Sequence, residues 1–407
     1  MHARILRAAL PIALSAAVVT SLLSCSSETS EPTAANIDLN ALDSGNYPTT
    51  PADPGTADTP QDAAVREASR LAEHVLLPTD FGPNQAYRYG NVANDPVLTP
   101  KNVHHRFKDF AALAPGFVAG WGTAAAGRRA QQGMSTLETS LAVLRFDSDA
   151  HAKDAVEKLA KSDFDSSPDR APLTVPNRAD AKAFWKPSQE LAAVVVWAAH
   201  GSFVVRMTLS DSLTLPVNTA TLLATADTAL GKQFAALDAF QPTAITELTG
   251  QARDRDGVLS RAIPPDTAKV TEFSRTPAIL GAKGALHSVY PVAATKSAFE
   301  ATGVDVVGIA DTTVIRTRDG AAAADLRHRL ADAVATYNDD LPSPPGLSDV
   351  ATCMKAKTNP PPNNFTLPAF RCLVTYGRYV GDVVASQEHD VHQKAAAQYK
   401  VLAAAGN

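Results

Sequence analysis

Two cysteines, two histidines and a few acidic turns are the residues whose type and spacing can do chemistry in this chain. Of its three cysteines, Cys353 and Cys372 stand as an isolated pair near the C-terminus. They lack Cys-x-x-Cys spacing and have no matching pair of histidines beside them, so a disulfide is the expectation rather than a redox or metal pair. The enclosed stretch carries Pro360-Pro361-Pro362-Asn363-Asn364 and little regular pattern. Closing a loop of about 20 residues is worth roughly 3 kcal/mol by chain entropy. Metal chemistry has one candidate, Glu388-His389-Asp390-Val391-His392. His389 and His392 are three apart and share a face on a helix, and two imidazoles begin a zinc or copper site that needs a third ligand. His104-His105 could supply it, but nothing in the sequence brings them near. A solvated helix start is the simpler expectation, with no metal and no other cofactor. Asp254-Arg255-Asp256-Gly257 is a fragment of a calcium loop without its third acid and closing Glu, and reads as a polar turn. Gly116 to Gly122 has the wrong glycine spacing for a dinucleotide loop and reads as a turn anchored by Trp121. Nucleophile elbow, phosphate loop and His-Glu-x-x-His patterns are missing from the sequence. Trp185, Trp197, Phe203 and Tyr290 could line a ligand pocket, with core packing as the default.

The third cysteine points to a place in the cell. His2, Arg4 and Arg7 precede an apolar run from Ala8 to Leu23, and the run ends in Leu22-Leu23-Ser24-Cys25. A basic start, an apolar middle and a small residue before the cut mark an export signal. The run is short for a membrane-spanning helix, which needs about 20 residues. The tetrapeptide resembles the bacterial lipobox, although Leu23 stands where a smaller residue is usual. That resemblance implies a signal peptide over residues 1–24, cleavage before Cys25, and lipid on its thiol (a diacylglycerol, with palmitate-type acyl chains). Each buried methylene contributes roughly 0.8 kcal/mol, so several acyl chains anchor durably. The expected location is the extracytoplasmic face of the cell membrane. Residues 25–58 are rich in Ser, Thr, Pro, Ala and Asp and read as a flexible tether. Within it, Tyr47 among prolines in Asp43 to Pro51 could pin the segment to the body.

Elements and composition then bound the body that these residues sit on. Net charge is −5 with both signs interspersed, which argues against nucleic acid as a partner. Thr59 caps and Pro60 opens a helix that ends at Leu77-Pro78. Thr139 to Phe146 reads as a strand, followed by a helix capped at Asp147 or Ser148; Thr312 to Thr317 reads as a strand, followed by a helix capped at Asp319. The two stretches overlay without gaps, Val143-Leu144-Arg145 falling on Val314-Ile315-Arg316. Paired strands and a closing helix follow in both halves: 191–199, 202–209 and 222–240, then 372–376, 382–386 and 390–405. Strand–helix–strand–strand–helix thus recurs roughly 170–180 residues apart. The fold class is α+β: two tandem ferredoxin-like modules over residues 59–245 and 246–407, packed sheet to sheet as in dimeric α/β barrels.

The lipobox, the 43–51 element and the two-part body together resemble uncharacterised cell-envelope lipoproteins of mycolic-acid-containing actinobacteria. The resemblance implies an envelope location and brings no catalytic residues with it. More distantly, the second half with its cysteine pair resembles extracellular sensor domains of mycobacterial receptor kinases. The expected function is a membrane-anchored binding module, not an enzyme, for a small hydrophobic ligand or an envelope protein. An enzyme acting on envelope lipid or glycan, and a structural or assembly protein, are the alternatives.

Overall fold

The computed structural model describes residues 37–81, 87–88, 96–105, 107, 109–128, 135–187, 192–211, 214, 216–266, 268, 276–357 and 368–406. The expected signal peptide and the lipid attachment residue Cys25 lie outside the described residues.

Local signals explain where the elements begin. The first helix, α1 (Pro60–Leu71), has Thr59 as its cap, whose side chain accepts a hydrogen bond from the Asp62 N–H, with Pro60 in the first turn. A 3₁₀ turn continues it over Ala72–His74. Then come β1 (Tyr87–Arg88), β2 (Val97–Leu98), α2 (Phe110–Leu113), β3 (Phe117–Arg128) and β4 (Ser135–Phe146). Ser148 caps α3 (Asp149–Asp165) by accepting from the His151 N–H. The first half closes with β5 (Ala171–Leu173), β6 (Lys182–Lys186), β7 (Ala193–His200), β8 (Phe203–Asp211) and α4 (Thr219–Asp238). The second half runs β9 (Ala278–Gly281), α5 (Ala282–Leu286), α6 (Val292–Thr302), β10 (Val306–Ile309) and β11 (Thr313–Arg316). Asp319 caps α7 (Gly320–Asp332) by accepting from the Ala322 N–H. The chain then forms β12 (Asn338–Leu341), β13 (Ala351–Ala356), β14 (Phe370–Tyr376), β15 (Tyr379–Ala385) and α8 (Glu388–Ala405).

Two antiparallel sheets result. Their strand orders are β1-β3-β4-β8-β7-β6-β5, with β2 also on β3, and β12-β13-β14-β15-β11-β10-β9. The run β3-β4-α3-β5-β6-β7-β8-α4 has the same order and pairing as β10-β11-α7-β12-β13-β14-β15-α8. The repeat visible in the sequence is therefore a topological one, longer in each copy by a leading strand and by two further strands, the outer of which forms a sheet edge.

Both faces of each sheet are apolar. In β7, Val194 and Val196 face one core while Val195 and Trp197 face another, and all four are buried. Such a strand needs cover on both sides, and helices supply it. In the first half α3 covers one face and α4 the other. In the second half α8 covers one face and α7 the other. The α+β class holds. The ferredoxin-like layer, with its helices gathered on one face, is not the arrangement these sheets show, and helices lie in the core that the halves share. That core runs through α1, α4, α6 and α7, and α1 packs against both β3 and β9.

Residues 37–58 also depart from expectation. They lie on the folded body, with Leu42 and Ala57 buried. The Ala57 N–H donates to the Gln251 carbonyl, and the Gly250 N–H returns a bond to the Ala57 carbonyl. The segment carries too few apolar residues to fold alone, but those it has enter a core that already exists.

Candidate functional site

The helix α8 gathers the cysteine pair, His389, His392 and Tyr47 from among the residues singled out by type and spacing. On one side it meets the cysteine pair. Cys353 on β13 and Cys372 on β14 face each other directly in the antiparallel register. Their Cα atoms are 4.1 Å apart and their sulfurs are joined as a disulfide. The close Cα spacing is that of the narrow, non-hydrogen-bonded kind of antiparallel pair. Both cysteines are buried, at 2% and 0% exposure, in a core with Val383, Val391, Ala395 and Tyr399. His392 reaches the same place from α8. One of its ring nitrogens and the two sulfurs lie within 4.8 Å of one another. Its Nε2 is buried and has no hydrogen-bond partner among the described residues.

The two histidines therefore part company. His389 is exposed at the helix start, on the side of Asp43, whereas His392 is half-buried beside the disulfide. They do not form the shared metal face that their spacing allows. His104 sits in the 3₁₀ turn Val103–His105 of the first half and is not in the His392 group.

A different side of α8 holds the incoming segment. The Tyr47 hydroxyl donates to Asp390 Oδ1 at 2.7 Å, and its ring packs on Ile263, Ala397 and Val401. Burial, then the Asp390 bond and charge, push the Tyr47 hydroxyl well above its ordinary ionisation range. Gln393 Nε2 donates to Asp43 Oδ2 at 2.9 Å, and Lys400 Nζ donates to the Leu42 carbonyl at 2.9 Å. The Gln393 bond, followed by the Gly45 N–H bond, holds the Asp43 carboxyl below its usual value. Lys394, 7% exposed, pairs with Asp311 at 2.7 Å.

Charged groups elsewhere join elements. Glu67 of α1, fully buried, accepts from Arg145 of β4, from Arg70 at 2.8 Å, and from both the hydroxyl and the N–H of Thr243. Arg206 pairs with Asp163 of α3 and lies over the Trp197 and Phe107 rings. Glu73 accepts from the Gly284 N–H at 2.6 Å and so ties the first half to the start of α5. The polar turn at 254–257 behaves as read: Asp254 accepts from the Arg255, Leu259 and Ser260 N–H groups, and Asp256 pairs with Arg316. Gly116 turns at φ +80°, with Trp121 buried in the strand that follows. The four aromatic residues proposed as a pocket do not converge: Trp185 and Phe203 join the shared core, Trp197 lies on the opposite face, and Tyr290 is tilted against Tyr337.

Spacing along the chain missed two things. The His392–cysteine cluster depends on pairing between β13 and β14, which a count of residues does not show. The Glu67–Arg145 pair depends on α1 packing on β3, the neighbour of β4. A detectable signal existed for the segment lock, since Ile37, Leu42 and Tyr47 recur every five residues in a stretch whose other residues, Leu39 apart, are small or polar.

Comparison with known proteins gives a family and little beyond it. Residues 54–252 match the profile described as "Domain of unknown function (DUF7373) N-terminal", and residues 258–405 match its C-terminal counterpart. The comparison with curated proteins found no match. Among solved structures, the extracellular domain of PknH from Mycobacterium tuberculosis is similar at 10% identity and a TM-score of 0.29. That match covers 42% of this chain and 97% of the other. No helix among the described residues is long and apolar enough to cross a membrane. With both profiles matched in order over most of its length, the chain belongs to the DUF7373 family.

Proposed function

We propose that the protein is a lipoprotein of the cell envelope, held on the extracytoplasmic face of the membrane by lipid on Cys25. Its body, with working halves over residues 59–245 and 246–407, serves as a non-enzymatic module that binds a small molecule or a partner protein. The observation that carries the location is the Cys353–Cys372 disulfide, buried between paired strands. Disulfides of this kind persist in oxidising compartments and are rare where glutathione and thioredoxin keep thiols reduced. The basic and apolar start before Cys25 supports the same location from the other end of the chain. Support for binding over catalysis is architectural. The buried charges at Glu67, Arg145 and Lys394 are taken up in pairs that join elements, which suits a body built to hold its shape.

Two experiments test the two parts. Cys25→Ser in the native host should move the protein out of the membrane fraction or leave the precursor uncut. Unchanged processing and membrane retention would sink the anchor. Native mass spectrometry of protein drawn from its own envelope should show a co-purifying lipid, metabolite or protein. Turnover of envelope lipid or glycan by the pure protein would instead establish the enzymatic alternative.

A further inference from the structure

We infer that Cys353, Cys372 and His392 form a Zn²⁺ site that the disulfide closes and its reduction opens. Three potential ligand atoms from three different elements already lie within 4.8 Å of one another. The cysteines stand on neighbouring strands with Cα atoms 4.1 Å apart, so small side-chain rotations separate the sulfurs once the bond between them is cut. Zinc–sulfur bonds of about 2.3 Å and zinc–nitrogen bonds of about 2.0 Å fit such a constellation.

His392 provides an observation independent of the cysteines. Its Nε2 is buried without a hydrogen-bond partner among the described residues. Burying an unpaired polar group costs free energy, and a group left so is a candidate ligand. The surroundings favour a divalent ion. Val383, Val391, Ala395 and Ala396 make the site apolar, where net charge is disfavoured. Two thiolates and a neutral imidazole cancel the charge of Zn²⁺, whereas Cu⁺ would leave one negative charge. Two sulfurs and one nitrogen leave a fourth position for water or an incoming ligand.

The step balances with a dithiol reductant. Its two electrons and two protons break the Cys353–Cys372 bond and form two thiols, and the reductant becomes a disulfide. Zn²⁺ then displaces both thiol protons to solvent as two sulfur–zinc bonds and one nitrogen–zinc bond form. The disulfide form of the reductant reverses this: it takes the two electrons from the thiolates and two protons from solvent, the Cys353–Cys372 bond reforms and the ion leaves, so staple and metal exclude each other. The stapled, metal-free form is the one that suits the oxidising compartment proposed above, and the zinc form exists only where a dithiol reduces the staple; neither form depends on the anchor or on the binding role.

The test uses the mature chain, reduced by a phosphine under anaerobic conditions and titrated with Zn²⁺ against a chromogenic chelator. The reduced chain should take up one ion and melt at a higher temperature with it, and the oxidised chain should take up none. Co²⁺ in place of Zn²⁺ should give a sulfur-to-metal charge-transfer band. His392→Ala should weaken binding by more than the roughly 10–100-fold that loss of an outer-shell partner costs. His389→Ala should leave it unchanged. Folding of H392A is checked in the oxidised state, where the staple is intact. A reduced chain that binds no Zn²⁺, or an H392A chain that binds as tightly as the parent, would overturn the site.

Discussion

Arg145 and Arg316 occupy the same place in two copies of one strand, and each is paired by carboxylates from other elements of its own half. Arg145 meets Glu67 of α1, and Arg316 meets Asp305 and Asp256. The settings differ in depth. Arg145 and Glu67 are at most 4% exposed, whereas Asp305 is 55% exposed. Glu67→Ala leaves a buried guanidinium without its partner, and a loss of about 3–5 kcal/mol is expected in chemical denaturation. A loss below 1 kcal/mol would show that the pair does not hold α1 to β4. The Asp305 pair is screened by solvent, and its signature is pH dependence rather than a large loss. Hydrogen bonds from Arg316 hold the Asp305 carboxyl below its ordinary 3.8. Its contribution is therefore complete above that value and fades as pH falls through the lowered one. Asp305→Asn should be less stable than the parent at neutral pH, and the two melting curves should converge in acid. A gap that persists unchanged in acid would contradict the assignment.

Among elements, the segment 37–58 is the one whose behaviour the sequence disguises. Its composition is that of a linker, yet Leu42 is buried in the second-half core and Tyr47 is locked to Asp390. Leu42→Ala should cost about 2–4 kcal/mol if the site collapses little around the cavity. Tyr47→Phe should cost about 1 kcal/mol, the usual net worth of one hydrogen bond. In both variants hydrogen exchange should quicken in 37–58 before it does so in α8. Uniform quickening across the chain would mean that the segment has no stability of its own to lose. Signals confined to one turn were legible: Thr59 with Pro60, Ser148 and Asp319 each mark a helix start by chemistry within four residues. The isolated cysteine pair was legible as well. The flanking of each sheet by helices on both faces was not, because an all-apolar strand such as β7 reads alike in many layered folds. Nor was the company of His392, which only strand register and the roll of α8 determine.

At the scale of the whole molecule, one apolar core passes from the first sheet through α1, α4, α6 and α7 to the second. The bonds from Gly284 to Glu73 and between His287 and the Ala72 carbonyl cross the same joint. Neither half can leave the other without exposing this surface, so the oxidised chain should melt in a single transition. Residues 37–252 and 253–406 produced separately should bind a dye for exposed apolar surface and lack cooperative melts. Two independent cooperative melts would show that each half stands alone. The joint is also lopsided. The first half presents its α4 face to it, and the second presents the face bearing α7, the helix equivalent to α3. Like positions in the two copies therefore look out on unlike neighbours. A change that suits one copy has no reason to suit the other, and duplicates joined in this order are released from resembling each other. The two copies differ accordingly in what they carry, and only the second holds a disulfide among the described residues.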